Sequence, residues 1–157
     1  MDQLDAWRAL VAVYQSVLHD VVRALEEDAG MDSGVFSALA YLARAEPRGR
    51  MRLSELVELM HPRYSQPGLS RLVQRMEADG LVERRTDPDD GRATVLQMTR
   101  SGKARFERAD AIYTGAVREH FGRHLPASEV RPLRSSLDTV LRGRATFDAP
   151  SRTVRTR

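Results

Sequence analysis

The chain contains no cysteine. Disulfides, thiolate nucleophiles, sulfenate switches and zinc sites built on thiolate ligands are therefore excluded. Aromatic residues are sparse, at 6% with a single Trp. No apolar run approaches the roughly 18 residues that a membrane-spanning helix requires, so no membrane partner is expected. The opening MDQLDAW carries acids where a secretory signal would carry a basic segment, and it has no small-residue cleavage site, so cytoplasmic residence is expected. Internal repeats, a Gly-rich phosphate loop, paired carboxylates and a Ser/His/Asp constellation are all missing. Of the four histidines, His19, His61, His120 and His124, only the last two share a helical face at i, i+4 spacing. Glu119 stands beside them without an evident third ligand. The expectation is a non-enzymatic protein without metal or cofactor.

What is present suits one domain: 157 residues, 41% hydrophobic, enough for a single core. The formal charge of +3 is modest. Its clustering in one hairpin and in the C-terminal tail is what makes it informative about nucleic acid.

The densest signal lies in SQPGLSRLVQRMEADGLVERRTDPDDGRATVLQMTRSG, residues 65–102. Leu69, Leu72, Val73 and Met76 fall at i, i+3, i+4, i+7 and predict one buried helical face. Gln66, Ser70, Arg71, Gln74 and Arg75 occupy the other face. Ser65 suits an N-cap, Pro67 a first turn and Gly80 a C-terminal stop. The outward face is rich in donors. Gln pairs with adenine edges, Arg with guanine edges, and Ser or Gln with phosphate.

After Gly80 the period becomes two. Residues 81–85 and 94–98 predict a hairpin closed by TDPDDGRA. Its tip presents Arg92, with Asp90 placed to accept from it, while Arg84 and Arg85 lie near phosphates at the strand base. A guanidinium on a projecting ribbon fits a narrow minor groove of double-stranded DNA.

These residues resemble the MarR family of winged helix-turn-helix transcriptional regulators. The likeness is carried by LSEL at 53–56, LSRLVQRMEADGLVERR at 69–85, DPDDGR at 87–92 and LQMTRSG at 96–102, and it extends from about residue 4 to about residue 143. It implies that the helix enters the major groove, that Arg92 enters the minor groove with Asp90 in support, and that the protein is a homodimer. It also implies a small aromatic or lipophilic effector held between the dimerisation helices and the winged lobe. Trp7, Tyr14, His19, Phe36 and Tyr41 are the candidate lining residues. Thiol-based sensing, used by some relatives, is excluded here. The connection HPRYSQPG is about two residues longer than the family's usual one, and Pro62 and Pro67 stiffen it.

Towards the ends, Leu4, Trp7, Val11, Tyr14, Leu18, Val21 and Leu25 form one apolar stripe, and Leu10, Val13, Val17 and Val22 form a second. A helix apolar on two sides must bury both. Further helices are expected at 33–45, 104–121, capped by Thr99 or Ser101, and 130–141, with Pro132 near its start or kinking it. Residues 51–53 suggest a short strand. The resulting expectation is a mainly α fold with a small β-wing (α+β). One MarR-type domain spans 1–143, its winged helix-turn-helix at about 33–99 flanked by dimerisation helices at about 3–29 and 101–143. Residues 144–157 read as a disordered basic tail. The function expected is sequence-specific regulation, as a repressor on a pseudo-palindromic operator. The alternative is a winged-helix protein-interaction module, which would expose apolar residues where this chain places Ser, Gln and Arg.

Overall fold

A computed structural model of the chain describes residues 2–45, 49–61 and 63–147. The first helix, α1 (Gln3–Ala29), starts on a reciprocal cap in which Asp5 N–H donates to Asp2 and Asp2 N–H donates to Asp5. It ends at Gly30 in the left-handed region. The next, α2 (Ser33–Arg44), is capped by Asp32, whose carboxylate accepts from the N–H groups of Gly34 and Val35. A short strand β1 (Arg50–Arg52) leads into α3 (Leu53–Met60) and then α4 (Gln66–Ala78). Strands β2 (Val82–Thr86) and β3 (Thr94–Met98) make the hairpin, and α5 (Arg100–His120) and α6 (Ala127–Phe147) follow.

The sheet is antiparallel in the order β1-β3-β2, with Met51 opposite Leu96 and Val82 opposite Met98. Its inner face joins the main core, in which Leu39, Leu42, Leu56, Leu69, Val73, Met76, Leu81 and Leu96 are almost wholly buried. Phe36 of α2 stacks on Phe106 and Tyr113 of α5 at centroid distances of 5.6 and 4.8 Å, which joins the lobe to the long helices.

The sequence placed α1, α2, α4 and β3 within a residue or two. Three placements are corrected. The first strand is Arg50–Arg52, because Leu53 already begins α3. Thr99 caps α5, accepting from Gly102 N–H at 2.9 Å, so that helix begins four residues earlier than its apolar stripe suggested. Helix α6 contains Pro132 and continues to Phe147, into the segment read as tail. The remainder of that segment, 148–157, lies outside the described residues, as do Pro62 and most of the 46–50 connection.

Gly80 lies at φ 66°, and Leu81 N–H donates back to Met76 O at 2.9 Å while Gly80 N–H donates to Glu77 O. This reversal stops α4 and turns the chain into the wing. Gly102 is demanded by space, since a Cβ there would run into the backbone carbonyl of Leu81. Gly102→Ala is expected to destabilise the fold by about 1–3 kcal/mol, measured by urea denaturation. An unchanged midpoint would show that the α5 start is loosely held.

Candidate nucleic-acid interface

The outward face of α4 has the composition its period predicts. Ser65 caps the helix, accepting from Gly68 N–H at 3.2 Å, and Pro67 sits in the first turn, where its missing N–H costs no hydrogen bond. With Leu69, Leu72, Val73 and Met76 buried, Gln66, Ser70, Arg71, Gln74 and Arg75 are exposed. Each buried aliphatic contributes about 1.5–3 kcal/mol, so the helix cannot rotate without losing most of its anchorage. The side chains of Gln66, Ser70, Arg71 and Gln74 make no hydrogen bond or ion pair among the described residues. Gln66, Pro67, Ser70 and Arg84 line one shallow groove between α4 and the wing, with Leu53 and Val57 of α3 at its base.

Other arginines are engaged. Arg75 reaches Asp32 at 3.0 Å, the same carboxylate that caps α2, and so ties α4 to α2. Arg84 is paired with Glu77 at 2.9 Å and Arg85 with Glu83 at 2.6 Å. The outer face of the lobe therefore carries acids that the α4 stripe alone did not reveal. Arg84 and Arg85 are both exposed, and strand alternation sets them on opposite faces of β2, Arg84 opposite Leu96 and Arg85 opposite Val95. Ion pairs this exposed contribute about 0–1 kcal/mol each. A phosphate can replace their carboxylates at little cost.

At the wing tip Asp90 plays a different part from the one expected. It accepts from the backbone N–H of Arg92 at 3.1 Å, bracing the turn rather than the guanidinium. The Arg92 side chain is exposed and makes no ion pair among the described residues. The turn is also held at its base, where Asp87 accepts from Arg52 Nε at 2.6 Å and from Asp89 N–H at 2.9 Å. The Asp89 hydrogen bond, together with Arg52, holds the Asp87 carboxyl below its ordinary range against the opposing effect of burial. The Asp87 hydrogen bond and charge raise the Arg52 guanidinium in turn.

The candidate effector residues separate into two groups. A cavity of about 480 Å³ between α1, α2 and α5 is lined by Tyr14, Phe36 and Tyr41, together with Tyr113, Arg44 and Arg63. Trp7 and His19 are not among its walls. Trp7 lies on the same α1 stripe as Tyr14 but two turns nearer the N-terminus, and is 61% exposed. His19 is exposed, one residue off the stripe. Arg63 was missed because it sits in the α3–α4 turn, where no period applies; its guanidinium lies 3.4 Å from the Tyr14 hydroxyl. The histidine pair is also divided, since α5 ends at His120 and His124 lies in a separate 3₁₀ turn. His120 instead lies 3.4 Å from Asp20 of α1.

This geometry has counterparts in known proteins. A sequence model of the MarR family matches residues 29–93. The fold is similar to AbsC, a MarR family transcriptional regulator from Streptomyces coelicolor, at 27% identity and a TM-score of 0.76 over 90% of this chain and 95% of that one. Over residues 29–93 the chain is similar to the MarR family, and its fold is that of MarR-family regulators. A second regulator of the family from the same organism, Sco3205, solved in complex with DNA, is similar at 27% identity and a TM-score of 0.77 over 90% of each chain. The HTH-type transcriptional repressor IacR of Pseudomonas putida is 31% identical over 72 residues, or 46% of this chain. That match spans 42% of the repressor, less than half its length. The MarR family and this fold are those of transcriptional regulators, not enzymes. No helix among the described residues is long and apolar enough to cross a membrane.

The Asp87 geometry has a pH signature. Because its carboxyl sits below the ordinary 3.8, it favours the folded state above that value, and this contribution is lost as pH falls through the lower folded-state value. The stability gap between the wild type and Asp87→Asn should therefore be widest at neutral pH and close on acidification, as read by denaturation at a series of pH values. A gap independent of pH would contradict the assignment.

Proposed function

We propose that this chain is a MarR-family, sequence-specific double-stranded DNA-binding regulator that acts as a homodimer on a pseudo-palindromic operator. Repression is its mode, and a small aromatic or lipophilic effector releases it. The observation that carries the reading is the outward face of α4, where Gln66, Ser70, Arg71 and Gln74 are exposed and unengaged beside a wing whose Arg92 is also unengaged. Such donors suit base edges and phosphates, and a protein-docking face would be expected to be apolar here. The DNA complex of Sco3205 supports the same reading, and the partial match to a repressor supports the mode.

The dimer is supported by exposed apolar surface on α1 and α6. Leu4, Trp7, Leu10 and Val13 of α1 are exposed, as are Val130, Val140 and Leu141 of α6, the last at 64%. Helix α6 has no buried residue among those whose side chains are described. A second copy covering residues 3–29 and 101–143 would bury this surface and set two copies of the 33–99 lobe about one DNA turn, roughly 34 Å, apart. The cavity between α1, α2 and α5 has the size of a small-molecule site, in the range of about 300–1,000 Å³. A ligand there would release DNA in so far as it prefers a dimer with mis-spaced lobes.

Fluorescence anisotropy on a selected duplex tests the reading. Arg71→Ala should weaken binding and relax base preference by about 1–3 kcal/mol at one position. Arg92→Ala should weaken binding with a shallower salt dependence, as one phosphate-region contact is lost, while the circular dichroism is unchanged. Full affinity in both variants would contradict the assignment of this face. Sedimentation should give a dimer at micromolar concentration; a stable monomer would remove the twofold operator.

A further inference from the structure

Asp87 is the sole charged or polar residue in the buried set among the described residues, at 6% exposure. It is the first residue after β2, at the point where the wing loop leaves the sheet. Burial of a carboxylate is unfavourable unless its oxygens are satisfied, and here both are. Oδ2 accepts from Arg52 Nε at 2.6 Å and Oδ1 from Asp89 N–H at 2.9 Å. The Asp87 N–H donates to Ala93 O across the mouth of the loop, Ala93 N–H donates to Asp90 O, and Arg92 N–H donates to the Asp90 carboxylate. One carboxylate thus begins a chain of hydrogen bonds that ends at the residue carrying the tip guanidinium.

The other partner belongs to a different element. Arg52 closes β1, opposite Val95 on β3, and its own N–H donates to Glu55 in the first turn of α3. The Arg52–Asp87 bond therefore crosses the sheet from one edge strand to the other and ties the wing loop to the start of the helix-turn-helix. Residues 35 apart in sequence are joined at the place where a two-stranded ribbon would otherwise be free to swing.

We propose that Arg52 and Asp87 form a clamp that fixes the direction of the wing, and that they are positioning residues for DNA binding, acting through Arg92 rather than by touching DNA. This inference rests on the DNA-binding reading of α4 and the wing. The depressed Asp87 carboxyl keeps the clamp charged at neutral pH.

Two measurements on the full chain test it together. The first is free of DNA: amide hydrogen exchange of residues 88–93 in Asp87→Asn and in Arg52→Gln. Exchange at Arg92 and Ala93 should quicken by about tenfold, while the amides of α2 keep their protection. Arg52 is half-exposed, so Arg52→Gln remains informative should Asp87→Asn unfold. Unaltered wing exchange in a folded variant overturns the clamp whatever the protein does with DNA.

The second is a double-mutant cycle on duplex affinity. Each clamp variant should lose about threefold to thirtyfold in the wild-type background and almost nothing when Arg92→Ala is already present. Equal losses in both backgrounds would mean that Arg52 or Asp87 acts on its own, and would overturn the positioning role. Undiminished binding in Arg92→Ala alone would overturn the wing reading beneath it, and with it the functional part of the proposal. The exchange data separate that failure from failure of the clamp itself.

Discussion

Four aliphatic side chains fix the rotation of α4, and the rest of the interface depends on that rotation. Leu69, Leu72, Val73 and Met76 are buried against the lobe, so the remaining positions of the helix have no choice of direction. The outward set is Gln66, Ser70, Arg71, Gln74 and Arg75, and it lies outward because a helix of period 3.6 cannot turn its apolar stripe inward without turning these residues out. The Gly80 reversal then starts the wing directly after this helix, and Thr99 returns the chain to α5. Helix, wing and long α5 are thus positioned by one packed stripe and two tight turns.

Electrostatics acts on this scaffold at two strengths. Exposed pairs such as Arg84–Glu77 and Arg85–Glu83 are loose, and their guanidiniums remain available to phosphate. Arg52–Asp87 differs in kind, with a buried acceptor whose second oxygen is held by the backbone. The exposed pairs are weakly held, whereas the Asp87 carboxylate at the wing base is buried and held from two sides. Arg75 falls between the two, since its carboxylate partner Asp32 is also the α2 cap.

Much of this was legible in the sequence, for local reasons. Caps, helical stripes and the hairpin follow from short-range spacing, so Ser65, Gly80 and β3 fell where expected. Tertiary pairings carry no such signal. Nothing near Arg75 announces Asp32, which is brought to it by the packing of α4 on α2, and nothing near Asp87 announces Arg52. The part given to Asp90 was misplaced because a carboxylate two residues away satisfies a backbone N–H as readily as a side chain. Tyr14, Phe36 and Tyr41 line one cavity because aromatic residues on inward stripes meet where helices cross, and Arg63, which shares that cavity, sits in a turn that no period marks. Trp7 shares the stripe of Tyr14 but is exposed and does not line the cavity. The continuation of α6 to Phe147 was missed because residues 144–147 add little apolar content to a helix already without a buried stripe.

The central claim is that α4 and the wing read duplex DNA as a twofold pair. It is tested most directly by selecting fragments of the source genome with the purified full chain and measuring the affinity of the most enriched sequence. Enrichment of a pseudo-palindrome with half-sites about one helical turn apart, bound at roughly nanomolar Kd, is the result the account requires. Weak binding without sequence preference would contradict it and favour the protein-docking reading of the same surface.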